Sequence, residues 1–107
     1  MLTEQTIQDA VRRVVEAAHS PLKVILFGSY ARGSATEASD LDLLVVEREV
    51  PDTGAEMIRL SDALIQLDVG VDLLVYSEEE FKQRQHWCST PVYWAMREGK
   101  VLYDNSQ

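Results

Sequence analysis

Two segments constrain this chain more than any others. SDLDLLVV (residues 39–46) and GVDLLVY (residues 70–76) each pass from aspartate straight into aliphatic side chains. Runs this apolar read as buried strands, and a carboxylate at the mouth of a buried strand is costly unless something balances its charge. Residues two apart on a strand share a face. Asp40 and Asp42 are therefore expected to project side by side, with Leu41 and Leu43 opposite and Leu44 and Val46 carrying the aspartate face into apolar surroundings. Two such carboxylates repel each other and raise at least one pKa. A divalent cation removes that repulsion, and hard oxygen ligands suit Mg²⁺ at about 2.0–2.1 Å. If the two strands are neighbours, Asp72 joins them and a two-metal site becomes available, with ions roughly 3.5–4 Å apart. Any one of these aspartates alone also reads as a turn former or cap. An EF-hand is excluded, because Leu44 holds the fifth ligand position and the segment is too apolar.

The elements around these strands follow from periodicity. Ile7, Ala10, Val11, Val14, Val15 and Ala18 recur at helical spacing across residues 4–19, and Pro21 stops the pattern. KVILF (23–27) reads as a strand ending at Gly28, residues 29–39 as a loop or a short helix with a loop, and residues 40–47 as the second strand. Pro51 to Gly54 is turn chemistry. Met57, Leu60, Leu64 and Leu67 line one face of a second amphipathic helix, which Gly70 breaks before a third strand at 71–76. Ser77 with Glu80 forms a capping box that starts a helix toward Gln85. Thr90 and Pro91 are N-cap and first-turn proline of a last helix that Gly99 closes, and VLYD (101–104) is a short closing strand. The order α-β-β-α-β-α-α-β predicts an α/β (α+β) fold, a small mixed sheet with helices packed on it. No linker or repeat divides residues 1–107, so one domain is expected.

Composition narrows the function. The chain has 107 residues, 46% hydrophobic and 26% charged, as in ordinary globular proteins. Ten basic against eighteen acidic side chains give a net charge of −8, which disfavours sequence-independent nucleic-acid binding and suits a metal site or a basic partner. Cys88 is solitary, so no internal disulfide forms. Residues 1–11 contain no apolar targeting region and no run approaches membrane-spanning length, so a cytoplasmic location is expected.

GSYARGS (28–34) follows the first strand directly. Gly28 can take backbone angles closed to other residues and lets a ligand approach the main chain. Ser29 then lies at a helix start, offering a hydroxyl and free N–H groups suited to phosphate. A P-loop fails because Ser34 follows Gly33, and a dinucleotide fingerprint fails because residue 30 is Tyr. Taken alone, the turn also reads as a plain strand-to-loop connection.

Gly28-Ser29 followed after ten residues by Asp40-x-Asp42 resembles the signature of the polymerase-β-like nucleotidyltransferases. GSYARGSATEASDLDLLVV is similar to the minimal nucleotidyltransferase (MNT) branch, and the likeness extends from the first helix through Asp72 to REGKVLYD. The resemblance implies that Gly28 and Ser29 hold the terminal phosphates of a nucleoside triphosphate. It implies that Asp40 and Asp42 ligate two Mg²⁺ ions, and that Asp72 ligates the catalytic metal and helps deprotonate the attacking hydroxyl. Arg32 either steadies the triphosphate or is a solvated surface residue. ATP is the implied donor, with attack at the α-phosphorus and pyrophosphate as leaving group. The family's larger members carry acceptor-binding domains that a chain ending at residue 107 lacks, so a borrowed acceptor site is expected. Small MNT proteins resemble the antitoxins of HEPN/MNT pairs, which implies AMP transfer to a tyrosine of a partner HEPN toxin. Alternatives are an antitoxin that masks its toxin without catalysis, and an enzyme modifying a small molecule such as an aminoglycoside.

Other residues carry less. His86 and Cys88 are too sparse for zinc. His19 reads as a helix-end residue, and Glu78-Glu79-Glu80 as charge complementing a helix dipole. Trp87, Tyr93, Trp94 and Met96 are expected in the core or a helix junction, with an exposed partner patch as the other reading.

Overall fold

The computed structural model describes residues 2–105. Along the chain lie α1 (Glu4–Ala17), β1 (Pro21–Phe27), α2 (Gly28–Arg32), β2 (Leu41–Glu47) and α3 (Thr53–Leu64). A 3-10 turn (Ile65–Leu67), β3 (Val71–Ser77), α4 (Glu78–Arg84), α5 (Pro91–Glu98) and β4 (Lys100–Asp104) follow. The strands form one mixed sheet in the order β3-β2-β1-β4. β1 is antiparallel to β2 and β4, whereas β2 and β3 are parallel and joined by the α3 crossover.

Strand alternation sorts the core into two layers. Leu41, Leu43 and Val45 pack with Val11, Val14, Leu60 and Leu64 of α1 and α3. Leu44 and Val46 pack on the other face with Phe81, Val92 and Ala95 of α4 and α5. Leu41, Leu43 and Leu44 are fully buried, each contributing about 1.5–3 kcal/mol. The central strand β2 is thus covered on both faces, which fixes where its first residues emerge.

The helices start where their caps demand. The side chains of Thr3, Asp52, Ser77 and Thr90 each accept from a backbone N–H in the first turn of α1, α3, α4 and α5 respectively. Ser77 and Glu80 make the expected capping box. Asp52 pulls the start of α3 forward to Thr53, so most of the expected Pro51–Gly54 turn is the helix entrance. α1 stops at Ala17, two residues early, and β1 begins at Pro21 itself. Pro at the first strand position is tolerated because it need not donate there. Residues 28–39 resolve into the short α2 and a loop.

The aromatic expectation needs correction. Trp87, Trp94 and Met96 are exposed, at 57%, 49% and 41%. The buried stripe of α5 is Val92 and Ala95, and Trp94 falls between these positions. Trp94 Nε1 donates to the Cys88 carbonyl at 2.8 Å, and its ring meets Tyr93 edge-on at 5.1 Å.

Candidate active site

The β2–β3 register brings two of the three aspartates together. Asp42 lies directly opposite Asp72 in the parallel pair, close enough for Asp72 to raise its pKa. Asp42 also sits against the entrance of α2, because Phe27 of β1 pairs with Asp42. Gly28 there has φ +72°, a left-handed angle that glycine adopts without penalty. A Cβ at Gly28 would stand 2.9 Å from Asp42 Cγ and 3.3 Å from its Cβ, with Oδ2 closer still. Gly28 is therefore required twice, for the turn and for the room that Asp42 occupies.

Asp40 behaves differently from its expected side-by-side projection. β2 begins at Leu41, so Asp40 precedes the strand and is not held by its pleat. Its carboxylate lies over Gly70, where a Cβ would come within 3.1 Å of Asp40 Cγ. Leu41 N donates to the Gly70 carbonyl at 2.8 Å, which locks this close approach. Among the described residues, no three His, Cys, Asp or Glu side chains stand at metal-ligating spacing. Asp42 and Asp72 form the assembled pair, and Asp40 is the adjacent third carboxylate.

Electrostatics agree with that arrangement. The pKa of Asp42 is raised, first by burial, then by the charges of Asp72 and Asp40, with Arg32 opposing. The carboxylates that raise the pKa of Asp42 form with it a hard-oxygen donor set whose repulsion a divalent cation would relieve. Such oxygen donors would suit a divalent cation such as Mg²⁺, and Asp40 is the further carboxylate whose charge acts on Asp42.

The rest of the predicted site lies nearby. Ser29 is in the first turn of α2, and Gly33 (φ +76°) closes that helix with its N–H bonded to the Ser29 carbonyl. Arg32 Nη1 is 3.7 Å from Glu98 Oε2 of α5, with both side chains about half exposed. Tyr30 Oη accepts from the Leu2 N–H at 3.0 Å. A cleft of about 250 Å³ beside Asp40 is walled by Tyr30, Glu37, Ser39, Asp68 and Gly70. A larger one of about 500 Å³, between α1 and β4, contains none of the aspartates.

Gly70 is the residue that sequence reasoning missed, since it reads there only as a helix breaker. Its position two residues before Asp72, at the mouth of an apolar strand, was the available signal. The sequence also left open whether Arg32 belongs to the site. Its charge lowers the pKa of Asp42, while its guanidinium pairs with Glu98.

A turn–strand–strand frame presenting Gly-Ser and paired strand carboxylates defines a nucleotidyltransferase-type enzyme. The nucleotidyltransferase domain model matches residues 8–86, and the chain belongs to that family. A candidate protein adenylyltransferase of Methanocaldococcus jannaschii is 35% identical over 101 residues, covering 90% of this chain and 97% of its own. A second from the same organism is 35% identical over 79 residues, covering 70% of this chain and 80% of its own. Among solved structures, a toxin–antitoxin complex with AMP-PNP superposes with TM-score 0.69 at 23% identity, covering 99% of this chain and 77% of that one. The complex of a tri-AMPylated Shewanella oneidensis HEPN toxin with its MNT antitoxin gives TM-score 0.63 at 19% identity, covering 98% and 76%. The fold is that of these proteins.

Proposed function

We propose that this chain is a Mg²⁺-dependent adenylyltransferase that moves AMP from ATP to a tyrosine hydroxyl of a partner HEPN toxin and so neutralises it. The observation that carries this reading is the in-register Asp42–Asp72 pair packed against Gly28 at the Gly-Ser turn. Asp40, Asp42 and Asp72 would hold the metal, which supplies positive charge to offset the triphosphate and the departing pyrophosphate. Gly28 and Ser29 bind the terminal phosphates through main-chain N–H and hydroxyl. Arg32 adds a positive charge one turn along α2. Asp72, the most exposed of the Asp42–Asp72 pair, receives the proton of the attacking hydroxyl. The new bond joins the tyrosine oxygen to the α-phosphorus, and the bond from that phosphorus to the pyrophosphate oxygen breaks. These residues orient the reactants and balance charge, which is most of what phosphoryl transfer asks of a protein. The family likeness and the names of the M. jannaschii relatives support AMP as the transferred group.

A masking antitoxin is the second reading. The exposed Trp87 and Trp94, with a net charge of −8, favour it as a surface for a basic partner. One experiment separates the two. The purified protein is incubated with labelled ATP, Mg²⁺ and a HEPN partner, alongside its Asp40→Asn/Asp42→Asn variant. Label on the partner with the wild type alone supports transfer. Full neutralisation by the unlabelling variant supports masking.

A further inference from the structure

We propose that Glu47 and Glu56 form a proton-held latch, a buried carboxylic acid–carboxylate pair that fastens the α1–β1 turn to β2 and α3 and loosens when its proton leaves. The pair lies at the far end of β2 from Asp42 and is independent of the transfer reaction.

Glu47 is fully buried and Glu56 is 5% exposed. Glu47 ends β2 on the same face as Leu41, Leu43 and Val45, where alternation points it at the α1–α3 layer. Glu56 occupies the buried stripe of α3 with Leu60 and Leu64. The Ser20 N–H donates to Glu47 Oε1 at 3.0 Å, and the His19 N–H donates to Glu56 Oε2 at 3.3 Å. Two consecutive residues of the turn are thereby tied to two elements through two carboxyls.

The basic side chains are all on the Glu56 side of the pair. Arg59 of α3 donates to Glu56 Oε1 at 2.6 Å and reaches the Ala17 carbonyl at the end of α1. His19 Nδ1 stands 3.2 Å from Glu56 Oε1 and 3.2 Å from Arg59 Nη2. Arg48 and Glu49, which follow Glu47, are exposed, as is Asp52 at the start of α3. Glu47 Oε2 is buried and meets no N–H or O–H donor among the described residues. The side chain beside Glu47 is the Glu56 carboxyl, so two acceptors face each other. A single proton turns that clash into a hydrogen bond, and the unpartnered member is the one to carry it.

The titration shifts agree. Burial, then the Glu56 carboxyl, pushes Glu47 up to about 7. Burial opposes ionisation of Glu56, but hydrogen bonds from Glu47 and Arg59 hold it below the usual carboxylate range. Glu47 therefore binds its proton more tightly folded than unfolded. The folded state holds the extra proton above the ordinary value of 4.5, and its advantage disappears as pH rises through about 7. Glu56 acts oppositely, adding stability as pH rises toward 4.5. Loss of the shared proton leaves two like charges buried between α3 and the turn. Glu56 borders a cleft of about 250 Å³, lined also by His19 and Arg59, through which water can reach the pair.

The test is the pH profile of unfolding without divalent cations, for the wild type and for Glu47→Gln. Glutamine keeps an acceptor for Ser20 and a permanent donor for Glu56. The wild type is expected to lose on the order of 100-fold in its folding equilibrium between about pH 4.5 and 7. Glu47→Gln is expected to flatten that limb. Asp42 slopes the same way in both proteins and cancels in the difference. Parallel profiles, or a wild type that does not weaken, overturn the proposal. Should Glu47→Gln fail to fold, infrared spectra of Asp42→Asn protein at neutral pH decide. A protonated carboxylic acid band that fades as pH rises sustains the latch, and its absence removes it.

Discussion

Replacing Gly28 by alanine tests the contact on which the site depends. Two costs are separable. The first is the left-handed backbone at φ +72°, which costs a residue with Cβ about 1–2 kcal/mol. The second is collision with Asp42, whose Cγ and Cβ would lie 2.9 and 3.3 Å from the new methyl. Aspartate is short, so its carboxylate can escape only by rotating away from Asp72 and the turn. Gly33 supplies the control. It has φ +76° but nothing within 4 Å of a built Cβ, so Gly33→Ala carries the backbone cost alone. In urea unfolding, Gly33→Ala is expected to lose about 1–2 kcal/mol and keep its transfer activity. Gly28→Ala is expected to lose about 1–3 kcal/mol more, and to lose transfer almost completely. A double-mutant cycle with Asp42→Ala should show coupling of at least about 0.5 kcal/mol, because removing the carboxylate removes the collision. Additive effects, or equal losses at Gly28 and Gly33, would refute the account.

Three further outcomes follow from the same geometry. Asp42→Asn removes a like-charge cross-strand pair worth about 0.2–1 kcal/mol. Its melting temperature without divalent cations should therefore rise by about 1–8 °C, while Mg²⁺ stabilises the wild type and not the variant. Arg32→Ala should weaken ATP binding about tenfold, measured as KM. It should hardly change melting, since the half-exposed pair with Glu98 contributes at most about 1 kcal/mol. Ser77→Ala breaks the α4 capping box and should cost about 1 kcal/mol in unfolding, with transfer unchanged.

Much of the fold was legible because the period of the apolar pattern matched the element at each point. Leu41, Leu43 and Val45 alternate with Leu44 and Val46, and the two sets do enter different layers. Asp42 and Asp72 were legible as strand carboxylates, and the parallel register that joins them follows from one helical crossover between two apolar strands. The lean of Asp40 over Gly70 was not legible, because it depends on where β2 begins relative to β3. Position alone does not reveal whether Asp40 is the last loop residue or the first strand residue. Glu47 and Glu56 were missed although both sit on apolar periods, Glu47 after Leu43 and Val45, Glu56 before Leu60 and Leu64. A charged residue on a buried period reads as an element end until its partner is seen. Trp94 failed for the opposite reason: aromatic size suggested burial, and the helical phase set by Val92 and Ala95 placed it outside.

Intact-mass spectrometry of a HEPN partner, after incubation with this protein, ATP and Mg²⁺, tests the central claim most directly. The account predicts one or more AMP additions on a partner tyrosine, absent with Asp40→Asn/Asp42→Asn. An unmodified partner in a stable, neutralised complex would contradict it.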